Sequence, residues 1–377
     1  MQKQLIIKIL VSGIGILLFI FGLIYANTDV PRSGHIAAMD FETARVLEVL
    51  EDETMINEDF PETRVGQRLI LVELLTGEHA GRIGEIRNHF SPTFQVDVNE
   101  GSRISVMVGQ VDDTRFDVLL HNQERSGILI GSIIFFLIIL GLIGGKRGVM
   151  SIIGLAFTLM SIVFLLIPLL MKGYAAIPIT LLILAITTVV SLVLLSGWTK
   201  KTAIAIMGCL SGVLFATLLA FIVSTLAGIS GFNMEEASQL LTVGLETELR
   251  IQGLFISGVL IASLGAVMDI AMTIASSAEE LVTSSEKLTR KQLFKSAMNI
   301  GRDAMGTMSN TLILAFVGTG LNMMIIIFSF GISLRQLINM DFIAVEIIRS
   351  LAGSLGLVVA VPVVAYLASK WMLIAKN

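Results

Sequence analysis

Charged residues and cysteine are scarce in this chain of 377 residues. Only 15% of the residues are charged, whereas 54% are hydrophobic, and the mean hydropathy is +0.86. A soluble domain does not carry several apolar runs that each approach the ~20 residues needed to cross a bilayer. A single cysteine, Cys209, excludes an intrachain disulfide. The composition therefore predicts an integral membrane protein whose domains fold without covalent cross-links.

The sequence motifs of common enzymes are also absent. The chain has no phosphate-binding loop, no H-E-x-x-H pair and no recognisable Ser-His-Asp or Cys-His arrangement. Intramembrane proteolysis by paired aspartates needs a second acid at the depth of Asp269, and none is evident. We therefore expect a protein that is not an enzyme and that uses no cofactor.

Eight apolar runs predict eight membrane helices. They cover Leu5–Ala26, Gly127–Gly144, Val149–Met171, Ala175–Trp198, Ala203–Gly228, Gly253–Ala275, Met305–Phe330 and Val345–Ser369. The Lys and Arg residues of the short loops concentrate at one set of helix ends, which predicts a cell-membrane protein with both termini in the cytoplasm. The first run is longer than the apolar core of a signal peptide, so we expect residues 1–26 to be an uncleaved anchor.

Residues 27–125 form the one large polar stretch and are expected to lie outside the cytoplasm. They hold 19 Asp and Glu, nine Arg and no Lys, a net charge of −10. Short alternating runs predict strands at Ala44–Leu50, Arg68–Leu75, Arg82–Arg87, Thr93–Val98, Arg103–Val111 and Arg115–His121. We expect a small all-β domain, a five- or six-stranded barrel that resembles an OB fold. Residues 126–377 then form a bundle of seven spans.

The four histidines of the chain, His35, His79, His89 and His121, all lie in this polar stretch. They show no metal-ligand spacing and no cysteine accompanies them, so we expect no metal site. The acidic charge of the domain also opposes a phosphate backbone, which excludes nucleic acid as a partner.

Asp269 lies inside the sixth apolar run. An Asp at the centre of a membrane helix costs about 2.5 to 3.5 kcal/mol on insertion scales, so it is a functional-site hypothesis by default. The residues that recur with it at steps of three or four form one helix face, namely Gly258, Ala262, Gly265, Thr273, Ser276 and Glu280. Small residues permit close helix approach, so we expect Asp269 to face a helix contact and not lipid.

The seventh run begins with unusually polar residues, Thr307, Ser309, Asn310 and Thr311. At 1.5 Å per residue, Asp269 and Asn310 lie roughly 7 to 8 Å and 12 Å from the midpoints of their spans, both toward the cytoplasm. We expect them to meet, with Asp269 either as a protonation switch or as a fixed hydrogen-bonded strut. Before this run, Thr289 and Gln292 predict a capping box that starts a cytoplasmic surface helix at 289–301.

Two stretches resemble the YibE/F-like membrane proteins. They are GAVMDIAMTIASSAEEL at residues 265–281 and GRDAMGTMSNTLILAFVG at residues 301–318, and the resemblance covers most of the chain. A more distant likeness is to the protein-export SecD/SecF proteins and the RND permeases. Intramembrane aspartates serve proton coupling in those families, so the likeness implies that role for Asp269 alone. This chain departs from them in having eight spans and no second intramembrane acid, and a functional unit of two halves then implies a homodimer or a second related membrane chain.

Two functional hypotheses follow from these patterns. The leading one is a polytopic permease or energy-coupling subunit, driven by a proton or cation gradient, in which Asp269 is the protonatable switch and Asn310, Thr307 and Ser309 surround it. The alternative is a non-transporting membrane scaffold or receptor whose acidic outer domain binds a partner or an envelope component. The sequence does not identify the transported solute.

Overall fold

The computed structural model describes residues 19–31, 39–110, 116–234, 236–285 and 288–373. The chain divides into two compact units, one of Met1–Pro31 with Leu140–Asn377 and one of Arg32–Ile139. Most of the predicted first span lies outside the described residues, and its described end, 19–27, is helical (α1). His35 also lies outside them.

The smaller unit is built on an antiparallel β-sheet that curves into a half-barrel. Its strands are β1 (Met39–Asp52), β2 (Met55–Ile56), β3 (Arg64–Leu74), β4 (Ile83–Phe90), β5 (Arg103–Gln110) and β6 (Phe116–Gln123). The strand order is β2-β3-β1-β5-β6, and β4 also pairs with β3. Alternate residues of each strand face a common apolar core, as Ile70, Val72 and Leu74 of β3 show. An all-β domain is therefore confirmed.

The predicted strand at Thr93–Val98 is wrong. This segment makes one isolated bridge, between Ser91 and Phe94, and otherwise joins no ladder. Its apolar side chains still cover the core, but its carbonyl groups bond to side chains: Asn88 Nδ2 donates to the carbonyl of Val96 at 2.7 Å, and Arg68 Nη1 donates to that of Val98 at 3.0 Å. An alternating pattern predicts the buried face of a segment but not the group that donates to its backbone carbonyls.

The larger unit is a helix bundle. Its helices are α2 (Ser126–Ser161), α3 (Ile167–Met171), α4 (Ala176–Ser196), α5 (Lys200–Ala227), α6 (Ala237–Glu246), α7 (Leu254–Ser284), α8 (Arg290–Thr319), α9 (Leu321–Ser329), α10 (Leu334–Ile338) and α11 (Asp341–Trp371). The first of these helices, α2, enters the larger unit at Leu140, and its earlier residues belong to the smaller unit. A π-helical turn, Ile162–Leu166, joins α2 to α3. One apolar core lies among α4, α5, α7, α8 and α11.

Gly145 interrupts α2 where the sequence predicts the turn between two spans. Its φ of 54° and ψ of −137° are not helical, and a residue with a Cβ rarely adopts such a φ. The backbone of Gly148 lies against the carbonyl of Leu140, although eight residues of straight helix would separate them by about 12 Å. The chain therefore folds back at Gly145, as expected for two antiparallel helices.

Helix α8 differs from the prediction of a surface helix followed by a separate span. The predicted capping box is confirmed, since the Thr289 hydroxyl accepts from the Gln292 N–H and Gln292 Oε1 accepts from the Thr289 N–H. From this start, however, one helix continues to Thr319. Its first turns are not an isolated surface element, because Leu293 and Ala297 are buried in the core of the bundle.

The seventh predicted span also has a break that the sequence pattern did not indicate. Helices α8 and α9 meet at Gly320 with a bend of 61°. In the described part of the chain, five helices are long and apolar enough to cross a membrane, and counting α8 with α9 as one span gives six. The chain is therefore mainly helical, with an all-β unit near its N-terminus.

Candidate functional site

Helix α7 has one face that packs inside the bundle. Val267, Ile270, Ala271 and Ile274 on this face are fully buried. They belong to the core that α7 shares with α4, α5, α8 and α11. This apolar face fixes the rotation of α7 and so determines where the polar residues between these positions point.

Asp269 lies on the opposite face, which we call the open face of α7: Gly258, Ala262, Gly265, Asp269 and Thr273. All five residues are exposed. A Cβ built at Gly258 or Gly265 has no neighbouring atom within 4 Å. The prediction that Asp269 faces a helix contact is therefore wrong for the described part of this chain. A row of small residues predicts that a surface can be approached closely, but not that a helix of the same chain covers it.

The polar residues of α8 do not gather around Asp269 either. Thr307 and Asn310 are exposed and Ser309 is half-buried. The Thr307 hydroxyl donates to the carbonyl of Ala304 at 3.0 Å within its own helix, as hydroxyls in membrane helices commonly do. Among the residues that the structure describes, no hydrogen bond joins Asp269 to Thr307, Ser309 or Asn310. The predicted hydrogen-bonded strut is thus not formed within this chain.

The row of residues that contains Asp269 continues into a charged cleft. Ser276 and Glu280, one and two turns beyond Thr273, line a cleft of about 940 Å³ at the end of α7. The cleft is also lined by the turn at Gly145, the end of α4 and the start of α5. At 1.5 Å per residue, Ser276 lies about 10 Å along the helix axis from Asp269. A continuous polar strip therefore connects the carboxylate to this opening.

Three basic residues line this cleft. The sequence did not identify them as site residues. Lys201 Nζ of α5 pairs with Glu279 Oε2 of α7 at 2.7 Å. Lys146 and Arg147, from the turn after Gly145, are the other two bases. Their positions at predicted helix ends were visible in the sequence, but the sequence does not show that two separate helix ends share one cleft.

The half-barrel has its own cluster of charged residues, and these residues bond to one another. Arg68 is 5% exposed and bonds to Asp52 at 2.8 Å and to Asp97 at 2.9 Å. A hydrogen bond from the Thr54 hydroxyl, together with the bonds from Arg68, lowers the pKa of Asp52 to about 2. No group of three or more His, Cys, Asp or Glu residues in the described ranges is arranged to hold a metal ion.

The long apolar helices, packed through small residues in one core, define a helical membrane protein. The chain belongs to the YibE/F-like protein family, whose match covers residues 132–373 and so most of the helix bundle. No curated protein and no solved structure matches the chain. The distant likeness to SecD/SecF and the RND permeases stays a prediction.

Proposed function

We propose that this protein is a permease or energy-coupling subunit driven by a proton or cation gradient, with Asp269 as the residue that gains and loses the proton. One observation carries the proposal: Asp269 lies within the apolar helix α7, on its open face, and the polar strip on that face leads to the charged cleft. An acid inside a membrane span normally faces a pathway or a partner. The open face supplies such a surface, and no helix of the described residues covers it.

The polar strip supports movement of a proton between the cleft and Asp269. Thr273 and Ser276 offer hydroxyl groups at successive turns, and Glu280 stands at the mouth of the strip. In the predicted orientation this mouth opens to the cytoplasm. Proton uptake removes the charge of Asp269, so the two protonation states differ in how readily the open face can move against lipid or against another helix.

The open face is also where a second copy, or a related membrane chain, would complete the unit under this proposal. The polar residues of α8 then bind the second chain or the solute, and not Asp269 of their own chain. These residues are Asn310, Thr307 and Ser309. The solute is unassigned.

A hydrophobic carbodiimide tests the proton role without a known solute. This reagent reacts with protonated carboxyl groups in apolar surroundings, and mass spectrometry locates the adduct. We expect an adduct on Asp269 that persists to near-neutral pH in lipid-reconstituted protein. The reagent partitions into apolar surroundings, so Glu280 in the charged cleft is the internal control and is expected to carry much less adduct. An Asp269 that stays unreactive while other acids react contradicts the proposal.

A pair of variants tests coupling once a transported solute is found. Asp269→Asn keeps the size of the side chain but cannot exchange a proton, so we expect it to abolish gradient-dependent flux. Glu280→Gln removes only the acid at the mouth, and we expect partial flux. Both proteins must reach the membrane in folded form, which size-exclusion chromatography checks. Full flux in Asp269→Asn would reject the mechanism.

The alternative, a scaffold or receptor, is favoured by one feature of the half-barrel. Met55, Ile56 and Phe60, in and after β2, are between 62% and 66% exposed. Exposed apolar side chains close together at a sheet edge are typical of a surface that binds a partner. Deleting residues 27–125 separates the hypotheses: gradient-driven flux that survives the deletion contradicts a receptor, whereas lost partner capture with no flux in the intact protein supports one.

A further inference from the structure

The break between α8 and α9 lies against the start of α11. The Gly320 N–H bonds back to the carbonyl of Phe316 at 3.2 Å and so closes the last turn of α8. A Cβ at Gly320 would be 3.2 Å from the Phe342 ring of α11. The break brings the C-terminal end of α8 beside the N-terminal end of α9, whose dipole ends have opposite signs. In other proteins the ends of broken membrane helices form ion sites. The surroundings of the break therefore decide whether it can bind a cation.

A cavity of about 340 Å³ lies beside the break. It is lined by α8 and α9 at Thr319 and Gly320, by the first turns of α11, and by the segment before α6. Asn233 holds that segment to α11, since its Nδ2 donates to Asp341 Oδ2 at 2.8 Å. The cavity is thus enclosed by three separate parts of the chain.

The charges that line this cavity do not balance. Among the described residues they are Glu236, Glu346 and Arg349, two acids and one base. The described lining of the cavity therefore carries a net charge of −1. An excess of one negative charge in partly buried surroundings is complementary to a monovalent cation.

Glu346 has one carboxylate oxygen that its ion pair does not use. Its Oε1 accepts from Arg349 Nη1 at 2.8 Å, while Oε2 is buried and has no hydrogen-bond partner in the described part of the structure. The guanidinium of Arg349 also lies 5.9 Å from the centre of the Phe316 ring, a cation–π contact that favours its present position. A buried acceptor without a partner is destabilising unless a ligand or water satisfies it.

Glu346 also lines a second cavity, with different surroundings. This cavity, of about 280 Å³, is almost entirely apolar and is lined by α8, α9 and α11, including Phe316 and Leu351. Glu346 lines both cavities. Its charge is therefore positioned between an apolar space and a charged one.

We propose that the cavity beside Gly320 binds one small alkali cation, with Glu346 Oε2 as its anionic ligand. The Thr319 hydroxyl donates to the Phe316 carbonyl at 2.8 Å, which leaves its oxygen free to accept, and Glu236 supplies the second acid. A divalent ion would leave the site with a net positive charge, which low-dielectric surroundings disfavour. The site rests on this geometry alone and does not depend on the role of Asp269.

The test measures the thermal unfolding midpoint of the full-length protein in lipid nanodiscs. Na⁺, K⁺ or Li⁺ replaces choline stepwise at constant ionic strength and pH. A ligand that binds only the folded protein raises the midpoint in a saturable way. We expect a saturable rise with at least one of the three cations and none with choline. Midpoints that are the same in all four salts at every concentration overturn the proposal.

Variants locate the site. Glu346→Gln keeps the side-chain size but removes the charge, and we expect the cation response to disappear. Asp303→Asn, which changes an exposed acid of α8 that lines neither cavity, is the matched control, and we expect it to respond as the wild type does. The carbodiimide adduct on Asp269 is measured separately, so failure of the proton-coupling mechanism and failure of this site give different results. Arg349→Gln removes the one base of the described lining and leaves its two acids. We expect the unfolding midpoint of this variant to rise at a lower cation concentration. A wild-type response in Glu346→Gln overturns the assignment.

A direct binding measurement keeps the proposal testable if Glu346→Gln does not fold. Radioactive Na⁺ or Rb⁺ on the wild-type protein should bind with a stoichiometry of one per chain, and Glu236→Gln should bind it more weakly. Binding that is absent in the wild type, or that Glu236→Gln and Arg349→Gln both leave unchanged, contradicts the site.

Discussion

Small residues line two surfaces of the helix bundle, and the described residues of this chain fill only one of them. Between α5 and α11, a Cβ at Gly212 would lie 2.6 Å from the carbonyl oxygen of Gly356, and a Cβ at Gly356 would lie 2.8 Å from Ala216 Cβ. On the open face of α7, Gly258 and Gly265 have no neighbour within 4 Å. The same pattern of small residues four apart therefore marks a contact surface in one case and an uncovered surface in the other.

The charged residues show the same contrast. Arg68 in the half-barrel is buried, and its guanidinium bonds to two carboxylates and a carbonyl. Asp269 is exposed, and the described residues give it no hydrogen bond. A satisfied charge stabilises the unit that contains it, whereas an unsatisfied one at membrane depth needs a ligand, a proton or a partner. Substitutions on the two kinds of surface should therefore have opposite consequences for stability.

The largest expected effect is that of Gly212→Leu on the filled surface. The new side chain meets the backbone carbonyl of Gly356, which cannot move aside without shifting α11. Overpacking costs about 1 to 3 kcal/mol where neighbours can adjust, and a backbone contact adjusts least. We expect little folded protein in the membrane, measured by fluorescence-detected size-exclusion chromatography after solubilisation.

Gly258→Leu is the matched control on the open face. It introduces the same side chain into a membrane helix, but nothing lies where the side chain would go. We expect folded protein at wild-type yield. Equal losses in the two variants would show that α7 is covered in the membrane and would remove the distinction between the surfaces.

The sequence predicted the elements better than it predicted their partners. The helix of Val345–Ser369, the capping box at Thr289 and the all-β unit follow from local apolar periodicity and end signals, and the structure confirms them. The bend at Gly320 was not predicted, because a lone glycine in an apolar run does not show where a neighbouring helix begins. The helix face on which Asp269 lies was predicted, but what packs on that face was not. Helical periodicity gives the direction in which a side chain points and not the element that lies there.

The second largest effect is expected for Arg68→Met in the half-barrel. The substitution keeps an unbranched apolar stem but removes the donors for Asp52, Asp97 and the Val98 carbonyl. A buried acceptor that loses its donor costs about 1 to 3 kcal/mol. We expect faster hydrogen exchange throughout β3 and β4 in the full-length protein, measured by mass spectrometry. Arg64→Met, an exposed position on the same strand, should leave exchange unchanged, and comparable effects in the two variants would contradict this interpretation.

A smaller effect is expected from acid on the same cluster. Because the pKa of Asp52 is about 2 in the folded unit and 3.8 is its ordinary value, its ionised form stabilises the fold above pH 3.8. That contribution is lost as the pH falls from 3.8 through 2. We expect the difference in β3 protection between wild type and Asp52→Asn to shrink over this interval. A difference that stays constant with pH would show that the bonds of Asp52 do not depend on its charge.

The smallest effect on stability is expected for Gly265→Ala on the open face. The added methyl group meets no atom of the described residues, and alanine favours a helix interior over glycine by roughly 0.5 to 1 kcal/mol. We therefore expect the unfolding midpoint of the solubilised protein to stay the same or to rise slightly. Gly356→Ala, whose new Cβ would lie 2.8 Å from Ala216 Cβ, should lower the midpoint instead. Each substitution adds one methyl group, so the sign of the change in the unfolding midpoint shows whether a neighbour is present. A fall in the midpoint for Gly265→Ala would show that the open face is occupied in the folded protein.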